Sequence, residues 1–234
     1  MRWLVPSVLV LLMPAGVVDA HVSISSGRAQ ATKSQVITFS VGHGCQDANK
    51  KHLDTVKVRV AIPEGVTNVR ALFSDFGRPK LTRNEDVVTH VEWTKPAGDL
   101  LDEDDSYYEL KIRVAIPDVA FTKLKFEVQQ TCEDSTTHEQ VVVDWNAPED
   151  STTADPAPFL TVAPARTAGW NKITMPRAIT QDEMPIYFGD AQIVWRGNAA
   201  FSPSGATADL ITTTQGVSAL TNGLQANDEI WVKY

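Results

Sequence analysis

The chain has 234 residues, 43% of them hydrophobic and 21% charged, and its 29 acidic against 21 basic side chains leave a formal charge of -8. That acidic balance opposes nucleic acid as a partner, and the length suits one large all-β domain, alone or with a smaller extension. Beyond the first residues no long apolar stretch occurs, so no integral membrane anchor is expected.

The chain opens with a leader-like segment. Arg2 supplies a positive start, residues 3–13 form a short apolar run, and Val18-Asp19-Ala20 places small or medium side chains where a signal peptidase reads. The run is shorter than the ~20 residues needed to span a bilayer. Residues 1–20 therefore read as a removable signal peptide, and the mature chain as periplasmic or secreted. Cleavage after Ala15 is the less well-formed alternative.

Cleavage after Ala20 makes His21 the new terminus. A terminal histidine carries an α-amine and an imidazole on one residue, close enough to chelate one metal ion. The amine titrates near pH ~8 and the imidazole near ~6.5, so a strongly binding metal displaces both protons at neutral pH. Paired nitrogens in tetragonal geometry favour Cu(II), which also heads the divalent affinity order.

From there, apolar and polar residues alternate over short runs, with almost no helical periodicity. The spacing predicts strands over 35–41, 55–62, 87–93, 107–116, 124–130 and 140–145. Turn signals separate them at Gly42-His43-Gly44, Pro63-Glu64-Gly65, Gly77-Arg78-Pro79, Pro96-Ala97-Gly98 and Asp134-Ser135. This spacing indicates an antiparallel β-sandwich, immunoglobulin- or cupredoxin-like. On the strand over 107–116, Tyr108, Leu110, Ile112 and Val114 face one way and Glu109, Lys111 and Arg113 the other. Glu109 thus projects from the polar face, where it either reaches a surface metal or pairs with a lysine. The acidic run Asp102, Glu103, Asp104 and Asp105 lacks EF-hand spacing and reads as a solvated loop tip.

The chain has two cysteines, Cys45 and Cys132. In an oxidising compartment they are expected to pair, the alternative being two thiolates that hold soft Cu(I). Residues 146–166 shift to Pro, Ala, Thr and Asp and read as a connection. Beyond it a small β-rich extension has strand candidates over 192–196, 209–213 and 229–234. Its Trp170, Trp195 and Trp231 read as packing residues rather than a sugar platform, and Met175 and Met184 as packing rather than Cu(I) ligands.

Several motifs occur in a fixed order: His21-Val22-Ser23-Ile24, Val41-Gly42-His43-Gly44-Cys45, Ile62-Pro63-Glu64-Gly65-Val66, Tyr108-Glu109-Leu110, Gln130-Thr131-Cys132-Glu133-Asp134, Trp145 and Pro156-Ala157-Pro158. Together they resemble the YcnI-like (DUF1775) family of exported copper-binding domains, from His21 to about Val162. The resemblance implies a β-sandwich over residues 21–162 that binds Cu(II) through a single-histidine brace. It implies His21 and Glu109 as copper ligands, Trp145 close behind the metal, and a disulfide between Cys45 and Cys132. Many relatives carry a C-terminal membrane helix, whereas this chain has the extension over residues 163–234.

The resulting expectation is an exported Cu(II)-binding chaperone or carrier in copper homeostasis, with other copper-transport proteins as partners, and not an enzyme. An oxidative copper enzyme and a metal-free interaction domain are the alternatives. The former needs a second histidine, for which His43 is a better candidate than His52, His90 or His138. No Ser/His/Asp or paired-carboxylate arrangement supports a hydrolase.

Overall fold

The structure, a computed structural model, describes residues 22–102 and 106–234. The leader, His21 and the last three residues of the acidic run lie outside the described residues. In chain order the strands are β1 (Ser23–Ile24), β2 (Ala29–Gln30), β3 (Ser34–Val41), β4 (Cys45–Gln46), β5 (His52–Ala61), β6 (Thr67–Ala71), β7 (Lys80–Asn84), β8 (Val87–Thr94), β9 (Tyr108–Ala115), β10 (Thr122–Lys125), β11 (Val128–Glu133), β12 (Gln140–Trp145), β13 (Phe159–Ala163), β14 (Trp170–Thr174), β15 (Ile193–Arg196), β16 (Ala199–Phe201), β17 (Ser218–Ala219) and β18 (Glu229–Lys233). Two short helices, α1 (Met184–Phe188) and α2 (Gly205–Thr213), fall in the C-terminal part. The architecture is nearly all-β, as alternation predicts.

Two sheets face each other across the main core. One has the order β1-β3-β9-β6 and the other β12-β11-β5-β8-β7, with β4 added to β5. Ile37, Phe39, Leu110 and Ile112 enter the core from the first sheet, and Val58, Val60, Val91 and Trp93 from the second; all are fully buried. A third sheet, β10-β13-β2, adds Leu160, Val162 and Ala29 to the same core. Residues 146–166 therefore contribute a strand, β13, that pairs with β10 on one side and β2 on the other.

The expected strand over 124–130 is two strands. Phe126 interrupts it, because its ring is fully buried against Phe39 and its N–H donates to the Pro158 carbonyl at 3.0 Å. The break sends β10 to β13 and frees β11 to pair with β5 and β12. The expected strand over 209–213 is instead the end of α2. Alanines at 206 and 208 favour the helix, and Ile211 is its one buried residue, so the apolar pair Leu210-Ile211 does not mark a two-faced strand.

The C-terminal part forms its own sheet, β14-β18-β15-β16-β17, over a second core that includes Met175, Met184, Tyr187 and Phe188. Both methionines are fully buried, in line with a packing role. Phe121, from the connection before β10, belongs to this second core. Its carbonyl accepts from Arg177 Nε, and Arg28 Nη1 donates to the Ile186 carbonyl at 2.7 Å, so side chains link the extension to the sandwich. No helix among the described residues is long and apolar enough to cross a membrane.

Candidate metal centre

Glu109 lies near the start of β9, on its polar face. Register sets it opposite Ser40 of β3, and Ser40 opposite Ser23 of β1. Ser23, Ser40 and Glu109 thus form one row across three strands, and partners in a row share a face of the sheet. Ser40 Oγ donates to Ser25 Oγ at 2.7 Å, fixing β1 on β3 beyond the short backbone ladder. Val22, which follows His21 directly, is buried in the main core.

The Glu109 carboxylate is 44% exposed and pairs with the Lys111 ammonium at 2.7 Å, itself 40% exposed. The lysine pairing foreseen as the alternative is therefore present. An exposed pair of this kind contributes at most ~1 kcal/mol, so it does not hold the carboxylate against a metal. Glu109 and Lys111 line a cavity of about 490 Å³ with Phe73, Ser74 and Asp75, so a second acidic residue borders the same space. Nothing in the local sequence marks Asp75. It arrives through the loop between β6 and β7, which closes on itself by a Gly77 N–H to Ser74 carbonyl bond of 3.1 Å. Gly77 has φ +144°, and a Cβ there would lie 2.0 Å from the Thr94 carbonyl oxygen.

Behind Glu109 its neighbour Tyr108 turns inward to a buried polar cluster. Lys95 Nζ donates to Asp54 Oδ2 at 2.6 Å and contacts Tyr108 Oη at 2.7 Å, while Tyr108 Oη donates to Asp54 Oδ1 at 3.0 Å. Asp54 Oδ2 also accepts the Leu101 N–H at 2.9 Å. The Asp54 side chain is fully buried and that of Lys95 5% exposed. Burial pulls the Lys95 ammonium down, but the hydrogen bonds and charges of Asp54 and Tyr108 outweigh it and hold Lys95 above its ordinary value. Burial raises the Tyr108 phenol. Phe76, from the same loop as Asp75, packs edge-on against Tyr108 at 4.9 Å. The cluster thus ties β9, β5, the residue after β8 and the Asp75 loop together beneath the carboxylates.

Trp145 belongs to the other sheet. It is buried at the end of β12 in the sheet opposite Glu109, and its Nε1 donates to Gln130 Oε1 at 3.1 Å. Gln130 Nε2 in turn reaches the His43 carbonyl at 2.9 Å and Thr55 Oγ1 at 2.8 Å. Trp145 shares the main core with Val22, and through Gln130 it steadies the turn that follows β3. Cys45 and Cys132 form a disulfide, packed beside Leu53 and joining β4 to β11 across 87 residues of chain. That bond suits an oxidising compartment.

The remaining histidines are dispersed. His43 Nδ1 contacts the Gly44 carbonyl, His52 contacts Gln46, His90 contacts Thr89 and His138 contacts Glu133. Among the described residues no group of three or more His, Cys, Asp or Glu side chains could hold a metal ion. Glu109 and Asp75 are the carboxylate residues that border this cavity.

Comparison with known proteins adds the family. The model of a family described as a domain of unknown function (DUF1775) matches residues 21–75 and 78–162. Among solved structures, an uncharacterized protein from Nocardia farcinica, described as having an immunoglobulin-like fold, is similar at 23% identity and a TM-score of 0.49, covering 62% of this chain and 99% of its own. The 35 kDa C-terminal fragment of the major pilin GBS80 of Streptococcus agalactiae is similar at 9% identity and a TM-score of 0.35, covering 91% of this chain and 77% of its own. No curated protein matches.

Proposed function

Because the chain belongs to the DUF1775 family, which is described without a function, we propose a role from its own residues: it is an exported protein that captures Cu(II) and carries it, rather than an enzyme that turns over on it. Signal-peptide removal creates the site by freeing the amine of His21. That amine and the imidazole supply two nitrogens, and Glu109 supplies a carboxylate oxygen.

The observation that carries this reading is the row Ser23–Ser40–Glu109. It brings the strand that begins two residues after His21 into line with a carboxylate committed to nothing stronger than an exposed lysine. Trp145 packs in the same core as Val22, and the disulfide ties β4 to β11 in the opposite sheet. The disulfide and the leader-like segment support copper handling in the periplasm or outside the cell, with other copper-transport proteins as donors or acceptors.

The test uses two purified forms, one beginning at His21 and one with a single alanine ahead of it. Cu(II) is titrated into each, with affinity and the copper EPR spectrum as readouts. Tight one-to-one binding with nitrogen hyperfine structure, lost in the extended form, is the expected result. Equal binding in both forms, or none in either, refutes the proposal.

A further inference from the structure

The C-terminal sheet has two faces of different chemistry. Val194, Ile230 and Val232 point into the second core and are fully buried. The opposite face carries Trp170, Trp195 and Trp231 on the adjacent strands β14, β15 and β18. Trp231 stands opposite Trp195 on one side and opposite Lys172 on the other, while Trp170 stands opposite Lys233. Tryptophan and lysine therefore alternate in a checkerboard on β14 and β18. Trp170 is 50% exposed and Trp231 49%, so these rings are not the packing residues that the sequence suggests.

An exposed row of indoles needs an explanation, because such large apolar surface is normally withdrawn from water. A protein interface would surround the rings with a dry aliphatic centre. Here hydrogen-bonding groups interrupt them: Lys172, Thr174, Glu229 and Lys233 occupy the alternate positions on the same face. Flat apolar rings separated by polar groups match a ligand whose own surface alternates C–H faces with hydroxyl edges, which is a sugar chain. With strands ~4.8 Å apart and ~3.4 Å of rise per residue, the stripe from Trp195 to Trp170 spans roughly 12 Å, about two linked sugar rings.

The charges on this face narrow the class. The chain as a whole is acidic at -8, yet two of the three charged side chains that share this face of β14 and β18, Lys172 and Lys233, are lysines. Glu229 pairs with Lys172 at 2.8 Å, an exposed pair that an incoming anion can exchange, so the face has a net positive charge centred on Lys233. We infer that the outer face of β15, β18 and β14 is a binding site for an acidic polysaccharide, whose rings stack on Trp231 and Trp170 and whose anionic groups meet Lys172 and Lys233. Such polymers occur outside the cytoplasm, where a disulfide-bonded chain resides. The site shares no residue with the candidate metal centre and does not depend on it.

The experiment is affinity electrophoresis of the full mature chain in native gels that contain polygalacturonate, neutral hydroxyethyl cellulose or neither. Retardation by polygalacturonate, weak in the neutral polymer, is expected. Trp170→Ala/Trp231→Ala weakens it about tenfold or more at an unchanged melting temperature. Lys172→Gln/Lys233→Gln, which leaves the rings in place, weakens it as well and serves if the tryptophan variant melts early. Absence of retardation overturns the inference, and so does equal retardation in the neutral polymer. Tryptophan-dependent self-association, or retention by single-stranded DNA in place of polygalacturonate, would instead make this face an interface between copies or a nucleic-acid site.

Discussion

Replacing Lys95 by methionine tests how the candidate centre is supported. The substitution keeps most of the side-chain volume and removes the cation from a carboxylate that is fully buried. Asp54 would retain the Tyr108 hydroxyl and the Leu101 N–H as donors, but neither neutralises its charge. Losing one partner of a buried pair costs about 3–5 kcal/mol, against a typical total of ~5–15 kcal/mol for a domain. The double variant Asp54→Asn/Lys95→Met leaves no charge to strand, and with the amide oxygen accepting the Leu101 N–H its NH2 can donate to the Tyr108 hydroxyl oxygen, so it should lie within about 1.5 kcal/mol of the parent. Urea unfolding followed by circular dichroism, with the disulfide intact, measures both. The pH dependence has a definite sign. Lys95 and Tyr108 are both raised above their ordinary values of 10.5 and 10.0, so their contribution is complete below those values and disappears as pH rises through the higher folded-state values. The parent should therefore lose stability in the alkaline range above pH ~10 more steeply than the double variant. A single variant as stable as the parent, or a double variant as damaged as the single, would refute the reasoning.

Three further substitutions probe other parts of the argument. Glu109→Gln should weaken Cu(II) by about tenfold or more while moving stability by no more than ~0.5 kcal/mol, since the side chain is exposed; unchanged copper affinity in a competition titration removes Glu109 from the site. Cys45→Ala/Cys132→Ala opens a loop of 87 residues and should cost about 4–5 kcal/mol in the chain-entropy model, and a loss below ~1 kcal/mol by denaturant unfolding counts against it. Gly77→Ala would drive a Cβ to 2.0 Å from the Thr94 carbonyl oxygen at a φ of +144°, displacing the Asp75 loop at a cost of roughly 2–4 kcal/mol. Wild-type hydrogen exchange across that loop in the variant would show that the contact imposes no strain.

What the sequence reveals here follows from the range of the physics involved. Alternation over β9 is local, so the outward Glu109 and the inward Tyr108, Leu110 and Ile112 are legible from it, as are the runs that become β3, β8 and β12. Non-local choices are not. Phe126 breaks a single apparent strand because its ring has a place in the core and its N–H a partner at Pro158, neither visible in its neighbours. The pairing of β5 with β11 slips between Thr131 and Cys132, so Asp54 and Thr55 are both buried and strict alternation does not describe the start of β5. The burial of Asp54 with Lys95, 41 residues away, has no local signal. Asp75 is hidden for the same reason, since a loop closure sets it beside Glu109. In α2 the helix-favouring alanines prevail where the two apolar residues alone suggest a strand.

The same distinction bears on the proposed metal centre. A ligand set dispersed over His21 and β9 lacks the spacing motif by which clustered ligands announce themselves, and among the described residues no cluster of three potential ligands compensates. Two nitrogens on one terminal residue relax that requirement, because a chelate formed within a residue needs no fold to assemble it. The sandwich then has to deliver one carboxylate to the right edge and keep it weakly engaged. Pairing with Lys111 at 44% exposure does this: it neutralises Glu109 at a strength of ~1 kcal/mol or less, small beside the affinity that two nitrogens and a carboxylate confer on Cu(II). A buried pair such as Lys95–Asp54 could not be surrendered in that way, since withdrawing the carboxylate would strand a charge at about 3–5 kcal/mol. The two lysine–carboxylate pairs are thus suited to opposite tasks, the exposed one to yield to the proposed metal and the buried one to hold the strand that carries Glu109.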